Sequence, residues 1–214
     1  MYIMKKVALI IVVVVVSTAS LWAQNYAGAM QNALAKMGAA KSTTDFVAAS
    51  QIFERITQVE TAKWEPAYYA ALSLINGSYT GQEKEKRDQM LDQAQKFIDT
   101  CLKRSPENSE AMTLQGYLYQ ARIGVDGSRG QEFSPKAAGA LKQAMAWDAN
   151  NPRATSLMAM NIFYTPSFYG GGKENALPLF EKAEKLFAEQ PKSSSFTPSW
   201  GEEMNQHFLQ ECKK

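Results

Sequence analysis

The residue types that enzymes use for catalysis and metal binding are sparse in this chain of 214 residues. His207 is the only histidine, and it stands between Gln206 and Phe208 in an amphipathic stretch that is typical of a surface helix. The sequence therefore offers too few suitable residues to predict a histidine base or a metal site. No pair of carboxylates or nucleophile triad can be assembled from the sequence, so we expect a protein that is not an enzyme and holds no cofactor or metal.

Two cysteines, Cys101 and Cys212, allow two interpretations. They could form a disulfide in an oxidising compartment. Alternatively, Cys101 is a buried thiol, because it falls where the helical pattern described below requires a small apolar side chain. The sequence does not place the two residues within bonding distance, so both interpretations stay open.

A run of glycines from Gly170 to Gly172, followed by Lys173, precedes a predicted helix. Free backbone donors at such a position can cradle an anion. The run lacks the spacing of a phosphate-binding loop and the strand that precedes one. A flexible turn is the favoured interpretation.

Charge excludes one class of partner. The chain has 23 basic and 21 acidic residues, and the excess consists of Lys5 and Lys6 near the N-terminus. The remainder is electrically balanced and has no concentrated basic face, whereas binding to phosphates requires one. We therefore expect no nucleic acid partner.

The N-terminus has the organisation of an export signal. Lys5 and Lys6 precede an apolar run from Val7 to Val16, and small residues follow up to Ala23. This pattern predicts a signal peptide over 1–23, cleaved after Ala23, and a periplasmic or secreted protein. An uncleaved membrane anchor is the alternative, although the apolar core is short for a membrane span. We expect contact with the membrane only through this signal.

Small and bulky residues alternate at helical spacing in Ala176, Phe180 and Ala183. The same spacing returns about every forty residues toward the N-terminus, as expected of a repeat protein. The three earlier copies are Ala137, Leu141, Ala144; Ala94, Ile98, Cys101; and Ala49, Phe53, Ile56. Small side chains one heptad apart with a large one between them let two helices pack closely. The pattern predicts an all-α fold of helix-turn-helix units.

Nine helices are expected, with breaks at glycine, proline and polar clusters. Residues 26–40 form the first, and the second begins near Asp45. The third runs from Trp64 to Ile75 and is stopped by Asn76, Gly77 and Ser78. The fourth spans Gln82–Arg104 and the fifth spans Glu107–Ile123. A loop from Gly124 to Glu132 follows, and Ser134 and Pro135 start the sixth helix. The seventh ends before Pro166, the eighth ends near Glu189, residues 191–199 are a linker, and 200–214 form a capping helix.

The repeat resembles the tetratricopeptide repeat (TPR) family over roughly residues 40–190, within a predicted solenoid domain of 24–190. Matching positions are Ala94, Ile98, Cys101, Pro106; Gly116, Tyr119, Ala137, Leu141, Ala144; and Ala159, Ile162, Ala176, Phe180, Ala183. The resemblance implies a TPR-like solenoid of four helix pairs plus the capping helix. Together with export, Pro166, Tyr169, Gly170 and Gly171 also look like the T component of tripartite periplasmic transporters, a repeat protein proposed to bind small ligands or its transporter.

The sequence departs from the repeat inside each helix pair, where the connection is longer than the family requires. We expect residues 77–86, 124–133 and 165–173 to form loops along one rim, suited to binding. The alternative is that the extra residues lengthen the helices, especially over 82–88.

Candidate binding residues follow from the family positions that line the concave side, together with the third loop. They are Tyr69, Asn76, Tyr117, Gln120, Arg153, Phe163, Tyr164, Phe168 and Tyr169. Aromatic and amide groups with one arginine suit a peptide or a small organic ligand, unless several of these rings belong to the core. We predict an exported binding or assembly module for a protein or peptide partner. The alternative is the small-ligand-binding component of a transport system, which an apolar pocket closed by the long loops would favour.

Overall fold

The computed structural model describes residues 25–190 and 196–214, and within them every regular element is helical. Helix α1 covers 25–39. The others are α2 (Thr43–Val59), α3 (Glu65–Thr80), α4 (Lys84–Arg104), α5 (Ser109–Val125), α6 (Gly130–Trp147), α7 (Pro152–Tyr164), α8 (Lys173–Glu189) and α9 (Glu202–Cys212). No helix in these ranges is long and apolar enough to cross a membrane. The predicted signal peptide lies outside the described residues.

The helices pack in the order of the chain. Helix α3 packs on α4, α5 on α6 and α7 on α8, while α3, α5 and α7 also contact one another as a continuous inner layer. Helix α9 packs on α8 and reaches α7. The predicted all-α, TPR-like architecture of helix pairs with a final helix is confirmed.

The alternating small and bulky residues form the packing face, as predicted. Ala137, Leu141 and Ala144 are fully buried, and so are Ala176, Phe180 and Ala183. Helices α5 and α6 approach so closely that a Cβ on Gly116 would lie 2.6 Å from Cγ of Leu141. Any larger residue at Gly116 would force the Leu141 side chain, or α6 with it, to shift.

Local signals explain where several helices begin. Ser42 and Asp45 form a capping box at the start of α2. Asn108 and Asn151 cap α5 and α7 by accepting hydrogen bonds from the backbone amides three residues further on. These side chains satisfy amide groups that have no partner inside the helix.

The predicted end of α3 is wrong. The helix continues through Asn76, Gly77 and Ser78 to Thr80. One local contact and one tertiary contact explain the continuation. The Ser78 hydroxyl donates to the carbonyl of Ile75, and Gly77 packs so tightly that an added Cβ would lie 3.0 Å from Cβ of Phe46. Packing of the buried helix outweighs the weak helical propensity of these residues.

The loop predicted over 124–132 is also wrong. Helix α5 reaches Val125, a single 3-10 turn spans Gly127–Arg129, and α6 starts at Gly130. Pro135 therefore lies inside α6 rather than at its first position. Most of the extra residues in the first two of these connections therefore lengthen the helices, as the alternative interpretation in the sequence analysis predicted. Only the third connection, between Tyr164 and Lys173, is a true loop, with a 3-10 turn at Ser167–Tyr169.

Candidate functional site

The chain covers part of its own concave face with the segment that precedes α9. The Phe196 carbonyl accepts a hydrogen bond from the Tyr69 hydroxyl, and the Phe196 ring packs edge-on against Tyr26 at 5.4 Å. The Trp200 ring stacks on Tyr117 with centroids 5.5 Å apart. Phe196 of the predicted linker and Trp200 after it are therefore bound to α1, α3 and α5.

A buried ion pair anchors this arrangement. Arg153 is 1% exposed, and its Nη2 lies 2.7 Å from Oε1 of Glu110. Arg153 also donates to the Trp200 carbonyl, while the Trp200 indole donates to the Tyr68 hydroxyl and Tyr68 donates to Glu110. Burial opposes the charge of Arg153, but the Glu110 carboxylate outweighs it and raises the pKa of the guanidinium. The polar groups of this network stabilise one another and are not free for a ligand.

Beside the covered part, an open pocket of about 590 Å³ remains between α3, α5, α7 and α9. This volume lies within the range of small-molecule sites. The lining consists mainly of aromatic, aliphatic and thioether side chains: Tyr79, Tyr117, Gln120, Ile123, Gly124, Met160, Asn161, Tyr164, Met204 and Phe208.

Two groups of rings form walls of this pocket. Tyr79 stacks on Tyr117 at 5.7 Å, and with Trp200 behind Tyr117 the three rings make a column. In the second group, the Phe208 ring lies edge-on to Tyr164, with centroids 5.8 Å apart, and stacks on the Phe180 ring. These packed rings give the pocket an apolar, aromatic wall.

The polar groups of the lining are few. Gln120 donates from Nε2 to the carbonyl of Leu157, while its Oε1 is buried without a hydrogen-bond partner. Asn161 is held by Ser134 on α6. Burial raises the pKa of Tyr117 to about 12, and burial likewise raises that of Tyr79. Both phenols are therefore neutral at neutral pH.

The structure divides the predicted site residues into three sets. Tyr117, Gln120 and Tyr164 line the pocket, with Asn76 and Phe163 directly behind through contacts to Tyr117 and Phe208. Tyr69 and Arg153 instead contact the segment before α9. Phe168 and Tyr169 are 79% and 68% exposed and lie outside the pocket lining. Their role in binding stays a prediction.

Sequence reasoning missed Tyr79, Met204 and Phe208. Tyr79 was not among the candidates because α3 was predicted to end at Ile75, before this residue. Met204 and Phe208 belong to α9, which was expected to cap the end of the stack rather than to wall a pocket. The amphipathic pattern of α9 signalled a buried face, but not which helices that face would meet.

The other candidate chemistry is not assembled into a site. No group of three or more potential metal ligands occurs within the described ranges. Cys101 is a buried free thiol and Cys212 is also free. In the glycine run, Gly170 and Gly172 have positive φ, and a Cβ on Gly171 would meet the carbonyl oxygen of Thr165 at 2.0 Å. These glycines are required by the shape of the turn.

No protein-family model matches the chain, and a search of curated proteins found no match. A solved structure does match, that of the HusA haemophore from Porphyromonas gingivalis, with a TM-score of 0.80 and 29% sequence identity. The match covers 88% of this chain and 92% of HusA. The chain is similar to a haemophore.

This similarity supports the prediction of a non-enzymatic binding protein. It favours the small-ligand alternative over a protein or peptide partner. The TPR pattern describes the helix packing, but no family model supports membership of that family or of the transporter T components.

Proposed function

We propose that this protein is an exported carrier that binds a haem-like tetrapyrrole in the pocket between α3, α5, α7 and α9. The observation that carries the proposal is the aromatic and thioether lining of a pocket of about 590 Å³, in a chain similar to a haemophore along most of its length. A flat macrocycle has two large apolar faces, which suit the aromatic lining of the pocket.

The lining favours recognition of the ring over recognition of a metal. Its described side chains include no histidine, and the groups that could approach an iron are the thioethers of Met160 and Met204 and the phenols of the tyrosines. Because the raised pKa keeps Tyr79 and Tyr117 protonated, they are poor anionic ligands. We therefore expect metal-free protoporphyrin to bind as well as haem does.

The test is a titration of the purified protein with haem and with protoporphyrin, followed by the absorbance of the porphyrin and the intrinsic tryptophan fluorescence of the protein. Tyr164→Ala should weaken both complexes about tenfold, equivalent to about 1.4 kcal/mol, because a ring of the lining is lost. Tyr164 is 69% exposed, so its removal should leave the fold intact.

Phe168→Ala/Tyr169→Ala is the matched control, since these rings are equally exposed but outside the pocket. Unchanged binding by this double variant supports the pocket. If the double variant loses binding while Tyr164→Ala retains it, the ligand binds at the loop and the proposed site is wrong.

A further inference from the structure

Arg87 on α4 lies at the edge of the pocket. Its Nε donates to the carbonyl of Ser78 at 2.6 Å, and its Nη2 donates to the carbonyl of Gly124 at 2.8 Å. Gly124 and Tyr79 both line the pocket. A Cβ on Gly124 would lie 3.1 Å from the Tyr79 ring and 3.7 Å from Nη2 of Arg87, so all three groups are neighbours.

The two carbonyls hold the guanidinium without the use of a carboxylate. They belong to the last turns of α3 and α5, where the partial negative charge of a helix C-terminus stabilises a cation. Arg87 takes part in no ion pair with any described residue, and its Nη1 has no hydrogen-bond partner among them.

The acidic residues around this edge already have partners. Glu83 pairs with Lys86 and Asp126 with Lys84. Asp88 binds Arg122 and Arg129. A ligand carboxylate that approached Arg87 would therefore displace no side chain of this protein. The entropic cost of ordering the Arg87 side chain on binding is also reduced, because the guanidinium is already oriented.

From this geometry we propose that Arg87 recognises a carboxylate at the edge of the ligand, so that the pocket selects carboxylated tetrapyrroles. The inference rests on the proposed function and deepens it. The apolar rings contact the faces of the macrocycle, and Arg87 forms a charge-assisted hydrogen bond with an acidic substituent through Nη1.

The electrostatics of the pocket agree with this assignment. Burial raises the pKa of Tyr79, as does Tyr117, and the charge of Arg87 acts in the opposite direction. The field of Arg87 thus reaches the hydroxyl of a lining residue. An anion beside Tyr79 would experience the same attraction.

The experiment compares protoporphyrin, a dicarboxylic acid, with its dimethyl ester, which keeps the ring and lacks the charges. The wild-type protein should bind the diacid more tightly. Arg87→Gln should lose about tenfold in affinity for the diacid, as expected for one hydrogen bond to a charged group, and nothing for the ester.

Arg104→Gln is a matched control, because Arg104 at the other end of α4 also donates to backbone carbonyls, those of Thr57, Glu60 and Lys63. None of these three residues lines the pocket. Both variants should lose similar stability on thermal unfolding, whereas Arg104→Gln should bind both porphyrins like the wild type. Arg87→Lys, which restores the charge, should recover part of the affinity for the diacid.

The outcomes separate the two proposals. If the wild type binds neither porphyrin, the proposed function is wrong and this inference with it. If it binds both, but Arg87→Gln loses diacid and ester equally or loses neither, the role of Arg87 is wrong and the pocket ligand stands. Should Arg87→Gln not fold, salt provides the second measurement. Added salt should weaken binding of the diacid by the wild type and leave the ester unaffected, and equal effects would overturn the inference.

Discussion

At the scale of single residues, the feature with the largest structural consequence is the buried charge of Arg153. A surface arginine would tolerate replacement, but this one is enclosed by Glu110, Gln190 and the Trp200 carbonyl. Its carboxylate partner is itself largely buried. Removing one member of such a pair leaves the other charged and without compensation.

We expect Arg153→Met to lower the free energy of unfolding by about 3 to 5 kcal/mol. Lys136→Met is the control, because it breaks the exposed pair with Glu132, whose two side chains are 49% and 59% exposed. That pair should contribute less than about 1 kcal/mol. Urea unfolding of both variants measures the difference, and a loss below about 1 kcal/mol for Arg153→Met would contradict the structural role assigned to the pair.

At the scale of elements, α9 links the end of the stack to the pocket. The Asn205 side chain donates to the Phe180 carbonyl on α8, and Leu209 is buried beside Phe180. Met204 and Phe208 of the same helix line the pocket. A short terminal helix of this kind opens more easily than the inner layer, so a ligand that contacts it should hold it closed.

We expect amide hydrogen exchange in α9 to slow when protoporphyrin saturates the protein, by up to about a hundredfold when free ligand exceeds the dissociation constant a hundredfold. Helix α2 supplies no lining residue and serves as the internal control. Slowing that is equal in α2 and α9 would indicate global stabilisation only. Unchanged exchange in α9 would show that the ligand does not contact this helix.

At the scale of the whole molecule, all of the described helices lie after the predicted cleavage site at Ala23. Removal of 1–23 would therefore leave all of the described helices in place. It would also remove Lys5 and Lys6 and leave an electrically balanced chain.

We expect the exported protein to begin at or near Gln24 and to be soluble without detergent. N-terminal sequencing of the protein recovered from outside the cytoplasm checks this expectation. Recovery of a chain that starts at Met1, in the membrane fraction, would instead support the anchor alternative.

The sequence by itself determined the helical architecture. Ala176, Phe180 and Ala183, with their earlier copies, define one packing face per repeat, and this periodicity is a local property of the chain. Caps such as Asn108 and Asn151 act within a few residues, so the signal for a helix start is also local, although α5 was predicted to start at Glu107 and starts at Ser109. Candidates Tyr117, Gln120 and Tyr164 came from the positions that the TPR resemblance places on the concave side.

Only the tertiary structure decided which part of the inward face is available to a ligand. The segment with Phe196 and Trp200 covers Tyr69 and Arg153, whereas α9 brings Met204 and Phe208 to the pocket. These contacts join residues far apart in the chain, and no local pattern specifies their pairing. The end of α3 was likewise set by burial, because packing against Phe46 and α4 stabilises a helix through Gly77 that local propensity would have ended.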